Sequence, residues 1–280
     1  MVTQTDIADY YNQTFNHYQT WWRLDRAMAV HYGLKDASTH GFIDELMNTN
    51  RVMAEMIHLK PKMHVFDAGC GVGGSLFYLV DHYAATGVGY SLSKKQIHFA
   101  QNKAKKLCLS QNLDFRVGDF CNTAFADQSF DVVWALESLS HLKEKKDFAG
   151  EAYRLLKPGG RLVVACYHRT RKKDVGRIIK KWQQTWSLAS IATTDEYLKV
   201  MKESGFNLLE IRDYTQAAMP TARRMFWASV LGMLPSELYN LTHRTSRFAR
   251  SHYRSGFYQY RALKKGLWQY KLMSFEKPAV

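Results

Sequence analysis

Val65-Phe66-Asp67-Ala68-Gly69-Cys70-Gly71-Val72-Gly73-Gly74-Ser75 is the stretch on which the fold turns. An apolar run suited to a strand enters a glycine-rich turn and leaves it toward a helix. Without Cβ atoms, such a turn lets a ligand approach the backbone closely, and the free N–H groups of the helix start favour an acidic group nearby. The simpler reading is a tight connection with no further role. The strand–turn–helix context favours a ligand cradle instead.

Downstream, short apolar strands at 64–68, 87–91, 114–118, 131–135, 161–167, 207–213 and 269–275 alternate with helical stretches at 75–83, 93–109, 143–156 and 195–204. Two of these helices begin with capping boxes, Ser93-x-x-Gln96 and Thr193-x-x-Glu196. The alternation predicts an α/β, Rossmann-like, seven-stranded and mostly parallel sheet with helices on both faces. Upstream, residues 6–22 carry Tyr10, Tyr11, Phe15, Tyr18, Trp21 and Trp22 near helical spacing, and 41–59 places Leu46, Met53, Met56 and Ile57 on one face. About 50 residues from Thr215 to Lys265 then separate the last two strands, too many for a structureless loop. They read as a helical insertion, with Phe226, Val230, Met233 and Leu234 as its apolar stripe, forming a lid or wall over the active site. The division is an N-terminal helical cap over 1–60, a core over 61–214, the insertion over 215–265 and the final strand of the core over 266–280.

Composition bounds the class. Hydrophobic residues make up 46% and charged residues 23% of 280, an ordinary globular balance. No apolar run approaches the roughly 18 residues of a membrane span, and the first residues lack the pattern of a signal peptide. Cys70, Cys108, Cys121 and Cys166 are scattered without a C-x-x-C pair, which speaks against disulfides or a metal site and for a reducing, cytoplasmic setting. The net charge of +14 is local. Residues 168–181 hold seven basic residues against one acid, and 217–265 hold nine against one, so the rest of the chain is neutral.

Gly69, Gly71 and Gly74 also satisfy the G-x-G-x-x-G of dinucleotide sites. That fingerprint needs an acid about 20 residues on, for a ribose 2′-OH. Here Gly89-Tyr90-Ser91 offers only a hydroxyl, while the acid, Asp67, precedes the glycines. Gly118-Asp119-Phe120 sets a carboxylate and a ring at the end of the third strand, where they could read and stack an adenine. An NAD(P)-dependent oxidoreductase is therefore the alternative.

The glycine turn, Gly118-Asp119 and Leu156-Lys157-Pro158-Gly159-Gly160-Arg161 together resemble class I S-adenosylmethionine methyltransferases, over about residues 60–170. The resemblance implies S-adenosylmethionine as cofactor. It places the methionine portion against Asp67, Gly69 and Gly71, the ribose at Ser91, and the adenine amino group at Asp119, with Cys70, Leu92, Gln96, Phe120 and Leu136 completing the site. Ser91 departs from the usual Asp or Glu and lacks the charge that strengthens such bonds. Two further stretches, Val133-Trp134-Ala135-Leu136-Glu137-Ser138-Leu139-Ser140-His141 and Ala165-Cys166-Tyr167-His168-Arg169, resemble the branch of γ-tocopherol and sterol C-methyltransferases. That branch often carries a hydroxyl residue at the Ser91 position. His31-Tyr32-Gly33 resembles its N-terminal region.

Glu137 and His141 follow strand four at the edge where open α/β sheets bind ligands. Spaced i, i+4, they share a face if the stretch is one helical turn. His141 is then the residue that accepts or relays the acceptor's proton, and Glu137 orients it or holds substrate. Otherwise His141 caps the next helix and Glu137 bonds backbone. The resemblance suggests that Tyr10, Tyr11, Tyr18 and Trp22 fold over the cofactor as a lid; His31 and Trp227 are further candidates to face substrate. Helix-spaced aromatics serve equally as core.

The basic insertion also carries Phe226, Trp227, Tyr239, Phe248, Tyr253, Phe257, Tyr258 and Tyr260. That mixture suits single-stranded nucleic acid, a membrane surface, an anionic group on the substrate, or a solvated face over packed rings. Strand four ends in Ala135-Leu136-Glu137-Ser138 and lacks the Asn-Pro-Pro-Tyr type of loop of nucleic-acid aminomethylases, so nucleic acid is disfavoured. The reading is a methyltransferase passing its methyl directly, by SN2, to a small lipophilic acceptor such as an isoprenoid, a phenol or a comparable natural product. Partners in keeping with it are a lipophilic or anionic acceptor, a peripheral membrane contact through the insertion, and a homodimer.

Overall fold

A computed structural model describes residues 2–22, 24–243 and 246–279. Seven strands form one sheet: β1 (His64–Ala68), β2 (Thr86–Ser91), β3 (Leu113–Val117), β4 (Phe130–Leu136), β5 (Leu156–Arg169), β6 (Asn207–Asp213) and β7 (Trp268–Glu276). Their order is β3-β2-β1-β4-β5-β7-β6. All neighbours run parallel except β7, which is antiparallel to both β5 and β6. Four consecutive residues of β1, Val65 to Ala68, are buried, as they must be when helices cover both faces of a sheet. Strand order reverses between β1 and β4, which opens a crevice beyond their C-terminal ends.

Helices α1 (Gln4–Trp21), α2 (Leu24–Ala27) and α3 (Phe42–Met56) precede the sheet. A capping box opens α1: the Asp6 N–H donates to Thr3 Oγ1 at 3.1 Å, and the Thr3 N–H to Asp6 Oδ2 at 2.9 Å. Tyr10, Phe15 and Tyr18 are buried, so most of the aromatic stripe is the packed face. Asn12 Oδ1 accepts from Ser93 Oγ at 2.8 Å and pins α1 to the core. The chain segment after α2 lies on the glycine turn, where a Cβ at Gly74 would fall 1.7 Å from the Met28 carbonyl oxygen. Only glycine admits that approach.

The core adds α4 (Gly74–Tyr83), α5 (Lys94–Lys106), α6 (Lys145–Leu155), α7 (Ile178–Thr185) and α8 (Thr194–Glu203). Helix α7 falls in the basic segment that sequence reading left unassigned. Ile178, Ile179, Trp182 and Thr185 are buried at helical spacing, while Arg177, Lys180 and Lys181 are exposed. Asp174 caps it, accepting from the N–H groups of Ile178 and Ile179 at 2.8 and 2.9 Å.

The described residues of 215–265 are mostly helical, as expected: α9 (Thr215–Leu231), α10 (Met233–Thr242), α11 (Arg247–Ser251), a 3₁₀ turn (His252–Arg254) and α12 (Ser255–Lys264). One expectation about them fails, that of a lid or wall over the active site, and the apolar stripe lies largely open. The stripe at Val230, Met233 and Leu234 is not packed; these residues are 39%, 53% and 69% exposed. Nor does the insertion wall the cavity described below, to which none of its described residues contributes. It buttresses the cap instead. Tyr32 Oη donates to Gln259 Oε1, the Gly33 N–H donates to Thr221 Oγ1 at 3.1 Å, and Tyr10 Oη bonds His252 Nδ1 at 2.5 Å. Among the described residues, no helix is long and apolar enough to cross a membrane.

Candidate active site

A cavity of about 290 Å³ lies in the crevice, bounded by the glycine turn, the ends of β2 and β4, and α1 above. All ten residues expected around the cofactor line it: Asp67, Gly69, Cys70, Gly71, Ser91, Leu92, Gln96, Asp119, Phe120 and Leu136. Gly69 and Gly71 have φ of +92° and +54°, which favours glycine at both. The N–H groups of Gly69 and Cys70 both donate to the Tyr90 carbonyl, at 3.0 and 2.9 Å, and hold the turn against β2. A Cβ at Gly71 would meet nothing nearer than Val30 Cγ2 at 3.7 Å, so that position is open.

Asp67 is buried, and its Oδ2 has no partner among the described residues. Burial pushes its carboxyl up to about 8. Ser91 Oγ donates to Gln96 Oε1 at 2.8 Å. Gln96 therefore spends its side chain on the site, and the expected capping box at Ser93 is only half made, by the Gln96 N–H on Ser93 Oγ at 3.3 Å. The box expected at Thr193 and Glu196 is complete. Asp119 Oδ1 accepts from the Cys121 N–H at 2.8 Å. Its Oδ2 accepts from Gln4 Nε2 at 2.5 Å, a residue that sequence reading missed. Its only signal was the capping box of α1, one residue upstream.

Glu137 leaves β4 in the left-handed region, at φ +59°. Its Oε1 accepts from the Tyr32 N–H and Tyr270 Oη, both at 2.7 Å, and its Oε2 accepts from Tyr167 Oη. Burial raises its carboxyl to about 7 against the pull of those three donors. Leu139–His141 is a 3₁₀ turn, so Glu137 and His141 do not share one α-helical turn. Among the described residues no hydrogen bond joins them, and Glu137 does not orient His141. They meet only as neighbours around the cavity.

His141 Nδ1 lies 3.0 Å from the Ser187 carbonyl, and Nε2 lies 2.9 Å from Tyr11 Oη. A carbonyl can only accept, so Nδ1 carries the hydrogen and Nε2 offers a lone pair. Burial lowers the ring's pKa to about 4, leaving it neutral at pH 7. His31 repeats the arrangement. Nδ1 donates to the Tyr32 carbonyl at 2.9 Å, Nε2 is buried without a partner among the described residues, and burial lowers the ring to about 4.

Of the lid and substrate-facing candidates, Tyr11 and His31 line the cavity; Tyr10, Tyr18, Trp22 and Trp227 do not. The Tyr18 ring stacks behind Tyr11 at 6.3 Å, its hydroxyl bonded to Tyr10 Oη and Trp186 Nε1. Trp22 packs on Phe42 at 5.4 Å. Trp227 is 56% exposed on the insertion.

These residues fit S-adenosylmethionine. An unpartnered buried acid beside an open glycine cradle suits a cationic amino-acid moiety, and a carboxylate with an adjacent ring suits adenine. They fit a nicotinamide dinucleotide less well, because β2 ends without an acid and Ser91 is engaged by Gln96.

A methyltransferase-domain model matches residues 66–164. Over 226 residues the chain is 31% identical to the methyltransferase GfsG of Streptomyces halstedii, covering 77% of this chain and 78% of that one. It is 26% identical over 246 residues to the chloroplastic tocopherol O-methyltransferase of Arabidopsis thaliana, covering 80% and 68%. The fold superimposes on geranyl diphosphate methyltransferase bound to geranyl diphosphate and sinefungin with a TM-score of 0.79, at 20% identity, over 98% of this chain and 99% of that one. The chain belongs to the class I S-adenosylmethionine-dependent methyltransferases, in the branch of the tocopherol and sterol C-methyltransferases. It is an enzyme that methylates a small molecule with S-adenosylmethionine as donor, and the oxidoreductase alternative falls.

Proposed function

We propose that the acceptor is a small lipophilic molecule with a proton to lose, such as a phenol or an isoprenoid. One observation carries this. The cavity that His141 lines is also lined by Ile7, Leu142, Trp186 and Leu188, apolar groups in the same site as a neutral imidazole whose Nε2 takes the Tyr11 hydroxyl. Apolar walls with a few fixed polar groups select apolar ligands of defined orientation. The names of relatives acting on tocopherol and geranyl diphosphate point the same way.

On this reading Asp67, Gly69 and Gly71 hold the methionine portion of the donor. Ser91, through Gln96, serves the ribose. Asp119 and Phe120 take the adenine in place of the Gln4 amide, with Cys70, Leu92 and Leu136 as packing. Bound S-adenosylmethionine supplies a methyl group on a sulfonium, electrophilic enough for direct transfer. The chain's contribution is placement and dryness. Helix α1 covers the site, and Tyr11 Oη marks where an acceptor hydroxyl could bond His141 Nε2. His141 takes up or relays the proton released there, its tautomer fixed by Ser187. Glu137, held by three donors, sets a carboxyl at the acceptor's side and ties β4, β5, β7 and the cap together.

A panel of prenols, phenols and polar amines, assayed with methyl-labelled donor, tests the acceptor class. Label passing into the organic phase from prenols or phenols supports it. Turnover confined to the polar amines contradicts it.

A further inference from the structure

Trp227, Leu231, Leu234, Leu238 and Leu241 recur at intervals of four, three, four and three, the spacing of one helix face. Helix α9 passes into α10 through Gly232 in helical conformation, φ −79° and ψ −5°. The five side chains therefore form one ridge across both helices. They are 56%, 67%, 69%, 56% and 78% exposed, and Val230, Met233 and Tyr239 extend the apolar surface. A run of large exposed apolar groups on one face marks a docking surface.

The charge around the ridge says for what. Residues 225–243 contain one formally charged side chain, Glu237. Its carboxylate is taken up by Tyr253 Oη and by Arg254 at 2.8 Å. Cations border the ridge. Asn240 Nδ2 donates to the Arg250 carbonyl at 3.0 Å, which sets that arginine beside α10. Along α9, Arg261, Lys264 and Lys265 share a shallow groove with Phe226, Phe257 and Tyr260, and the Arg261 guanidinium lies 5.1 Å over the Phe257 ring. Insertable apolar groups, interfacial aromatics and flanking cations together match an anionic bilayer. A second copy of the chain would bring the same excess of positive charge to the same face, which opposes pairing there.

We propose that the α9–α10 ridge docks on an anionic lipid surface, with Trp227, Leu231, Leu234, Leu238 and Leu241 entering the headgroup region and the bordering arginines and lysines meeting lipid phosphates. The acceptor could be polar and this surface would still stand, since the two are measured separately.

Co-sedimentation with phosphatidylcholine vesicles containing about one-third phosphatidylglycerol tests it. The full chain should bind them, bind pure phosphatidylcholine far more weakly, and release steeply with salt. The double variant Leu234→Glu/Leu238→Glu should bind at least about tenfold more weakly. Its melting temperature and S-adenosylhomocysteine affinity should stay unchanged, because both positions are exposed and outside the cavity. Vesicles should also shift the tryptophan emission to the blue, and Trp227→Phe should remove that shift. No binding to anionic vesicles overturns the proposal, as does equal binding by the double variant. A dimer in light scattering that the same variant converts to monomer assigns the ridge to a second copy and also overturns it.

Discussion

At the scale of single residues, the site divides by what each side chain is tied to. His141 is held neutral with one defined lone pair, so a proton can be taken only at Nε2. Replacing it with Ala or Gln should lower kcat by about 10²–10⁴, the range for a lost general base. The Kd for S-adenosylhomocysteine should change little, as read by calorimetry; an unaltered kcat with the physiological acceptor removes His141 from the mechanism. The residues legible in the sequence were those whose signal is local. Gly69 and Gly71 stand out because their backbone needs glycine, Asp67 because it stands just before the glycine turn, and Asp119 because Gly118-Asp119-Phe120 sets a carboxylate beside a ring after the third strand. Gln4, Tyr167 and Tyr270 were not legible as site residues, since only the folded sheet and cap bring them to Asp119 and Glu137.

At the scale of elements, α1 is the one whose formation the site depends on most. Its first turn rests on Thr3 and Asp6, and its side chains reach Asp119, Ser93 and His141. Thr3→Ala should cost about 1 kcal/mol of local helix stability. Amide exchange over residues 4–11 should quicken while β1 and β4 stay protected; unchanged exchange there contradicts the capping. Elements with a strong period and clear ends were legible, and the strands at 64–68 and 207–213 have the expected bounds. Helix α7 was hidden because its eight residues carry exposed cations between the buried Ile178, Ile179 and Trp182. The stripe of α9 and α10 was seen, but apolar periodicity shows only that a face exists. It does not tell whether the protein's own core covers it.

At the scale of the whole molecule, a site of buried carboxyls carries a stability cost that depends on pH. The Asp67 carboxyl moves from 3.8 to about 8 and that of Glu137 from 4.5 to about 7, both through burial. At these two groups the folded state then binds more protons than the unfolded chain between those limits, so their contribution to stability is greatest below about pH 4 and falls as pH rises toward 8, while the buried imidazoles of His31 and His141, lowered to about 4, act in the opposite sense below about pH 6.5. Glu137→Gln should reduce that fall, by on the order of 2 kcal/mol given that the carboxyl borders an open cavity. Ligand-free melting at pH 5 and pH 8 reads it, and an equal fall in the variant contradicts the raised carboxyl. The sheet topology follows from the alternation of strand and helix. The insertion's role did not follow, because buttressing Tyr10 and Tyr32 or walling a cavity leave the same helical pattern in sequence.

The central claim is that the open backbone at Gly71, between Asp67 and Gln96, receives the donor. Titration of the chain and of Gly71→Ala with S-adenosylhomocysteine and with NADH tests it most directly. The added methyl meets no protein atom closer than 3.7 Å, and the positive φ costs the fold about 1 kcal/mol, which melting measures separately. The expected result is saturable binding of S-adenosylhomocysteine alone, weakened at least about tenfold in the folded variant. Binding of equal strength in Gly71→Ala, or no binding to the chain at all, contradicts the account.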